Sequence, residues 1–211
     1  MCPVLDRRHR TRRLGLVLLV GQVLTIPAEL LVASRMPHPY SFTGSWISEL
    51  GAVTCARHES AAGVLTLCSP WHAVMNTVFV AAGILLVAGA VLARPSRASA
   101  LLWGIAGLGS IGTGLVPLDV ALDLHMLVSA PIAPAQSVAV VLTALAMPAH
   151  RRTLRRIGLV VGGATLVVGF VSVPELSGLL QRAALWPTTL WLALTALVLL
   201  RDSSGRTPRS P

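Results

Sequence analysis

Six long apolar runs divide this chain, and fourteen of its seventeen arginines fall in gaps that can all lie on one side of a membrane. Arg7, Arg8, Arg10, Arg12 and Arg13 precede the first run; Arg94 and Arg97 follow the second; Arg151, Arg152, Arg155 and Arg156 follow the fourth; Arg201, Arg206 and Arg209 follow the sixth. Only Arg35, Arg57 and Arg182 are left for the opposite side. Short basic loops are retained in the cytoplasm. The alternation therefore predicts an all-α polytopic bundle of six transmembrane helices, both termini cytoplasmic, in a cell inner (plasma) membrane.

The runs cover residues 14–33, 71–93, 99–118, 125–147, 157–173 and 184–200. Each comes close to the roughly 20 apolar residues that cross a bilayer core of about 30 Å. In hydrocarbon every backbone amide must be satisfied within the segment, so runs of this kind fold as helices. Residues 1–13 then form a basic cytoplasmic N-terminus, 14–200 the membrane domain with a long outer loop at 34–70, and 201–211 a disordered cytoplasmic tail. The basic start and first run also resemble a signal peptide. Apolarity continues to Ala33 without a small-x-small cleavage site, which favours a retained first span. No internal repeat is visible, so an inverted-repeat transporter has no support from symmetry.

Apolar residues make up 54% of the chain and charged residues 12%, well below the quarter expected of a soluble domain. The net charge of +9 does not indicate nucleic acid, because the arginines are membrane-flanking clusters rather than one basic face. Anionic lipid is the better counter-charge. Membrane lipid and a lipid-like small molecule are thus the expected partners, with no nucleic acid, and the oligomeric state is open.

Polar residues of the spans gather toward the outer end. Glu29 lies late in the first, His72 and Asn76 early in the second, Asp119, Asp123 and His125 around the third-to-fourth connection, and Gln136 after Pro131 and Pro134, which should kink the fourth. Ionisable or amide side chains at membrane depth are costly and tend to face the bundle interior, so these residues suggest a polar chamber opening outward, or else an interfacial set that is simply wet. Cys55 and Cys68 share the outer loop, where an oxidising compartment favours a disulfide; closing such a loop restricts the unfolded chain by about 3 kcal/mol. A metal site is not expected, since Asp123 and His125 are two apart and diverge on a helix. Nor is there a nucleophile elbow, P-loop or dinucleotide fingerprint, and no cofactor is expected. Glycines crowd the third span from Gly104 to Gly114, and Gly158 with Gly162 forms a close-packing pair in the fifth.

Trp46, Ile47, Ser48, Glu49, Leu50 and Gly51, then Cys68 through Trp71, His72 and Asn76, then Gly114, Pro117 and Asp119 with His125, form a motif set along the chain. In these the chain resembles bacterial integral membrane proteins of domain-of-unknown-function family 998. The resemblance implies about six spans and singles out Ser48, Glu49, Gly51, Asn76, Pro117, Asp119 and His125, all on the outer side; it transfers no activity. Three functions fit. The first is a non-enzymatic bundle whose outer polar cluster locks the long loop or receives a lipid or partner, with Ser48, His72, Asn76, Gln136 and Glu29 as binding residues. The second is a membrane-embedded enzyme on a lipid or isoprenoid-like substrate, with Glu49 and Asp119 as acid and base and His125 titrating near neutrality. The third is a small transporter, disfavoured by the lack of charge pairs deep in the bundle.

Overall fold

A computed structural model describes residues 3–37, 40–54, 56–60, 63–67, 69–94 and 96–204, without side-chain detail at 3–6, 56–60, 63–67 and 204. The expected Cys55–Cys68 bond and the tail beyond residue 204 fall outside the described residues.

The first span is helix α1 (Pro3–Gly21), a 3-10 turn at Gln22–Leu24, and α2 (Thr25–Ala33). The second and third are α3 (His72–Ala93) and α4 (Arg97–Leu115). Ser96 caps α4 by accepting the Ser99 amide at 3.1 Å, and Pro117 follows its end. The fourth span is broken as its prolines predict, into α5 (Leu122–Ser129) and α6 (Ile132–Leu145), with Pro131 at the junction. The last two are α7 (Arg152–Val168) and α8 (Ser177–Ser204). Between α2 and α3 the chain makes a 3-10 turn at Ile47–Gly51 and an antiparallel hairpin, β1 (Ala56–Ser60) with β2 (Gly63–Leu67).

Successive spans pack on one another: α1 on α3, α3 on α4, α4 on α5 and α6, α6 on α7, α7 on α8; α8 returns to α1, so the ring closes. His9, Arg12, Arg94, His150, Arg151 and Asp202, from four separate segments, line one cavity at one end of the bundle. Glu29, Ser48, His125 and Gln181 line another at the opposite end. The span ends therefore alternate as the arginine pattern requires. Leucines such as Leu101 (65% exposed) and Leu127 (71%) face outward. So continuous an exposed apolar surface is that of a membrane-spanning bundle.

Five of the spans are long and apolar enough to cross a bilayer, and α7, with 17 residues, is not among them. It stops at Val168 rather than at 173, because Pro174 holds Val173 extended (φ −131°, ψ 106°). At 1.5 Å per residue the helix reaches about 25 Å, and Arg152, Arg155 and Arg156 at its start have stems long enough to snorkel to the interface. The sixth span also differs from expectation, beginning at Ser177 rather than 184, so Arg182 lies inside a helix.

Small residues bring the helices together. A side-chain carbon on Gly83 would meet the Gly107 carbonyl and one on Gly107 would meet that of Gly83, so α3 and α4 touch backbone to backbone. Gly158 lies against the Trp191 ring and Gly162 against the Ser137 carbonyl, which seats α7 on α8 and α6. Gly104 packs on nothing nearby. Hydroxyls add cross-helix bonds, Ser137 to Thr165 at 2.9 Å and Thr143 to Ser99 at 3.1 Å.

Candidate functional site

The outer end is roofed by residues 40–54, and each neighbouring element sends a polar group to hold them. The turn Ile47–Gly51 is buried throughout. Trp46 enters it extended and donates its amide to Glu49 Oε1 at 3.0 Å, so Glu49 caps the turn it belongs to. From α3, Asn76 donates Nδ2 to the Gly51 carbonyl at 2.9 Å; the approach is so close that any side chain on Gly51 would strike Asn76. Ser69 donates its hydroxyl to the Leu50 carbonyl at 2.7 Å. Asp119, before α5, accepts the Val53 amide at 3.1 Å, the Thr54 amide, and the Thr54 hydroxyl at 2.6 Å. Burial alone would raise the Asp119 pKa, but these donors outweigh it and hold the carboxyl below its ordinary value.

The other half of the roof is clamped from α8. Arg182 is 2% exposed and donates Nε to Glu29 Oε1 at 2.7 Å, Nη1 to the Phe42 and Ser45 carbonyls at 2.7 and 3.0 Å, and Nη2 to the Tyr40 hydroxyl at 2.6 Å. Four of its five N–H groups are thereby used. The Phe42 ring lies 4.0 Å from the guanidinium carbon. Trp186 Nε1 serves the second Glu29 oxygen at 2.9 Å. Gln181 accepts the Ile47 amide at 2.7 Å, and Ser177 donates to the Gly44 carbonyl at 2.6 Å. Burial, only partly opposed by Arg182, pushes the Tyr40 phenol up to about 12.

Beneath this roof is a cavity of about 280 Å³ between the first, second, third, fourth and sixth spans. Its walls are mainly apolar, among them Met75, Phe79, Leu86 and Leu185. Uncharged polar groups project from several helices: Ser48 from the roof turn, Ser110 and Thr113 from α4, Gln136 from α6 and Gln181 from α8. The single carboxylate in the lining, Glu29, is neutralised by Arg182. His125 is 2% exposed, and its Nδ1 sits 2.6 Å from the Val116 carbonyl. A carbonyl only accepts, so Nδ1 carries the proton and Nε2 of the neutral ring is left as an acceptor. Met126 and Ala130 are lining residues with exposed surface, which places a mouth along α5.

The model of the family described as "Protein of unknown function (DUF998)" matches residues 13–198, nearly the whole of this fold. The chain belongs to the DUF998 family. No curated protein and no solved structure matches it significantly.

In this DUF998 chain the residues singled out from sequence divide into two groups. Glu29, Ser48, His125 and Gln136 meet in the cavity. Glu49, Asn76 and Asp119 are roof fasteners and are not part of its lining. His72 turns its Nδ1 back to the Ser69 carbonyl at 2.9 Å, at the start of α3. Among the described residues no three of His, Cys, Asp and Glu gather closely enough to hold a metal. Arg182 and Glu29 form a charge pair, both almost fully buried, beneath the roof at the outer end. Gln181 and Arg182 escape a sequence reading because they precede the expected start of the sixth span at 184, whereas Trp186 lies inside that run and nothing in its spacing marks it. Gln22, whose Nε2 donates to the Ala82 carbonyl at 2.9 Å, was visible as the sole amide in the first apolar run.

Proposed function

We propose that this membrane protein is a non-enzymatic binder of a lipid-like molecule with an uncharged polar head, held in the outer cavity beneath the 40–54 roof. The observation that carries the proposal is the pairing of apolar walls with a few uncharged hydrogen-bonding groups, in a cavity whose mouth lies on a spanning helix. Sites for small apolar ligands have this composition, and a mouth along α5 suits entry from the bilayer. Ser48, Gln136, Gln181 and the His125 Nε2 acceptor would orient the head, while Met75, Phe79 and Leu86 would take the chain.

Enzymatic use of Glu49, Asp119 and His125 is less favoured. Asp119 has three donors on it, Glu49 caps its own turn, and of the three only His125 lines the cavity. Native mass spectrometry of the gently extracted protein tests the binding. Co-purifying lipid should persist in Val160→Trp, whose site faces outward from α7 (70% exposed), and be lost in Ala133→Trp, which fills the cavity. Equal lipid occupancy in the two folded variants would remove the proposal.

A further inference from the structure

At the basic end a second cavity, of about 450 Å³, lies between the first, second, third, fourth and sixth spans. Its rim carries His9, Arg12, Arg94, His150, Arg151 and Asp202. Asp202, the one acid of this rim among the described residues, pairs with Arg151. Among the described residues neither Arg12 nor Arg94 has a carboxylate partner. Below the rim the walls turn apolar, with Leu16, Leu19, Trp103, Leu192 and Leu199.

Two features of this cavity are not needed by the fold. Thr195 is 3% exposed and lines it, and its hydroxyl has no hydrogen-bond partner. Thr77, Thr113 and Thr165 return theirs to the carbonyl four residues back, Thr25 and Thr188 to the carbonyl three back, and Thr143 donates to Ser99. A buried hydroxyl without an acceptor is costly, and in a residue that lines the cavity it is a polar group the fold leaves unused. Arg94, for its part, occupies the left-handed region (φ 51°, ψ 61°) just past α3. Glycine is the usual residue there, and an L side chain is held there only against strain. The fold would be better served by glycine; the guanidinium at the rim is what arginine adds.

We infer that this cavity binds an anionic phospholipid from the leaflet it faces: the phosphate between Arg12 and Arg94, an ester oxygen on the Thr195 hydroxyl, and an acyl chain along Leu16, Trp103 and Leu192. Basic pockets between helices at a bundle's cationic end recognise lipid phosphates in this way, and guanidinium groups suit phosphate oxygens. The volume falls within the about 300–1,000 Å³ common for ligand sites. Nothing here depends on what fills the outer cavity.

The test adds short-chain phosphatidylglycerol to the full chain in a neutral detergent and follows the unfolding temperature with concentration. Phosphatidylglycerol should raise it, whereas phosphatidylcholine and inorganic phosphate at equal concentration should not. Arg94→Gly should keep or raise the ligand-free unfolding temperature and weaken the phosphatidylglycerol response at least about tenfold. Thr195→Val should likewise fold at least as stably and weaken it several-fold. Arg97→Gln, at an exposed arginine that is not part of the lining, should respond like the native chain. Equal responses from the native chain and Arg94→Gly overturn the inference. So does a stabilisation that inorganic phosphate alone reproduces, which would mark a free-phosphate site instead.

Discussion

Removing Arg182 should unlatch the outer end, and how much stability is lost can be worked from its partners. Arg182→Met leaves Glu29, itself 3% exposed, with only the Trp186 N–H, and strands the Phe42 and Ser45 carbonyls. Breaking a buried ion pair from one side costs about 3–5 kcal/mol, because a buried charge is left uncompensated. Glu29→Leu alone should cost a similar amount, since Arg182 then keeps only neutral acceptors. In the double variant both charges are gone, and replacing a whole buried pair by apolar residues is often near neutral. Yet the two carbonyls still lack a donor, so a residual loss of about 1–3 kcal/mol should remain. That residue measures how far Arg182 acts as a clamp on the roof rather than as a counter-ion. Unfolding by titrated denaturing detergent, followed by tryptophan fluorescence at fixed temperature, gives all four stabilities and their coupling. An Arg182→Met loss below about 1 kcal/mol, or single losses that simply add, would refute the reasoning.

Asp119→Asn should cost about 1–3 kcal/mol at neutral pH, through weaker acceptance of the Val53 and Thr54 donors. The folded-state pKa of Asp119 is depressed, so its contribution is present above the unfolded value of about 3.9 and is lost as pH falls through the lower folded value. The gap between the native chain and the variant should close on acidification below about pH 4 in limited proteolysis of the 40–54 segment; a gap that holds constant would sink this account. Gly107→Leu should force α3 and α4 apart and sharply lower the yield of folded protein in detergent, while Gly104→Leu, facing open space, should not; size-exclusion recovery after mild heating separates the two, and similar recovery would count against backbone contact.

The bundle was legible in sequence where its causes are local. Apolar length and arginine placement act on each segment separately, and they gave six spans with all four basic segments at one end. Pro131 likewise acts on its own turn and broke the fourth span at the junction it predicts. The boundaries went astray where a distant residue intervened. By itself a guanidinium in hydrocarbon is prohibitive, which sets Arg182 outside the sixth apolar run. Glu29, 153 residues earlier, removes that penalty, so α8 starts a turn and more before it. The fifth apolar run outlasts its helix for the opposite reason: its valines are apolar enough to continue, but Pro174 sets the backbone against helix.

The candidate site was harder to read because residue type does not reveal where a polar group spends its hydrogen bonds. Asp119, Glu49 and His125 look alike in sequence as groups able to move protons. Folded, the first two are turned onto backbone amides of the roof, and only the third reaches the cavity. The donors they serve are main-chain groups of a segment with no regular ladder of its own, and such groups must be paired once buried. A long loop folded over an apolar bundle therefore creates a demand for polar side chains that is independent of any reaction. The outer cavity keeps what is left after that demand is met: hydroxyls, amides and one imidazole lone pair, with its only carboxylate neutralised. Among the described residues nothing roofs the basic end in the same way, and Arg12 and Arg94 remain unspent. The two ends thus call for ligands of different charge, and losing the proposal at one would leave the other standing.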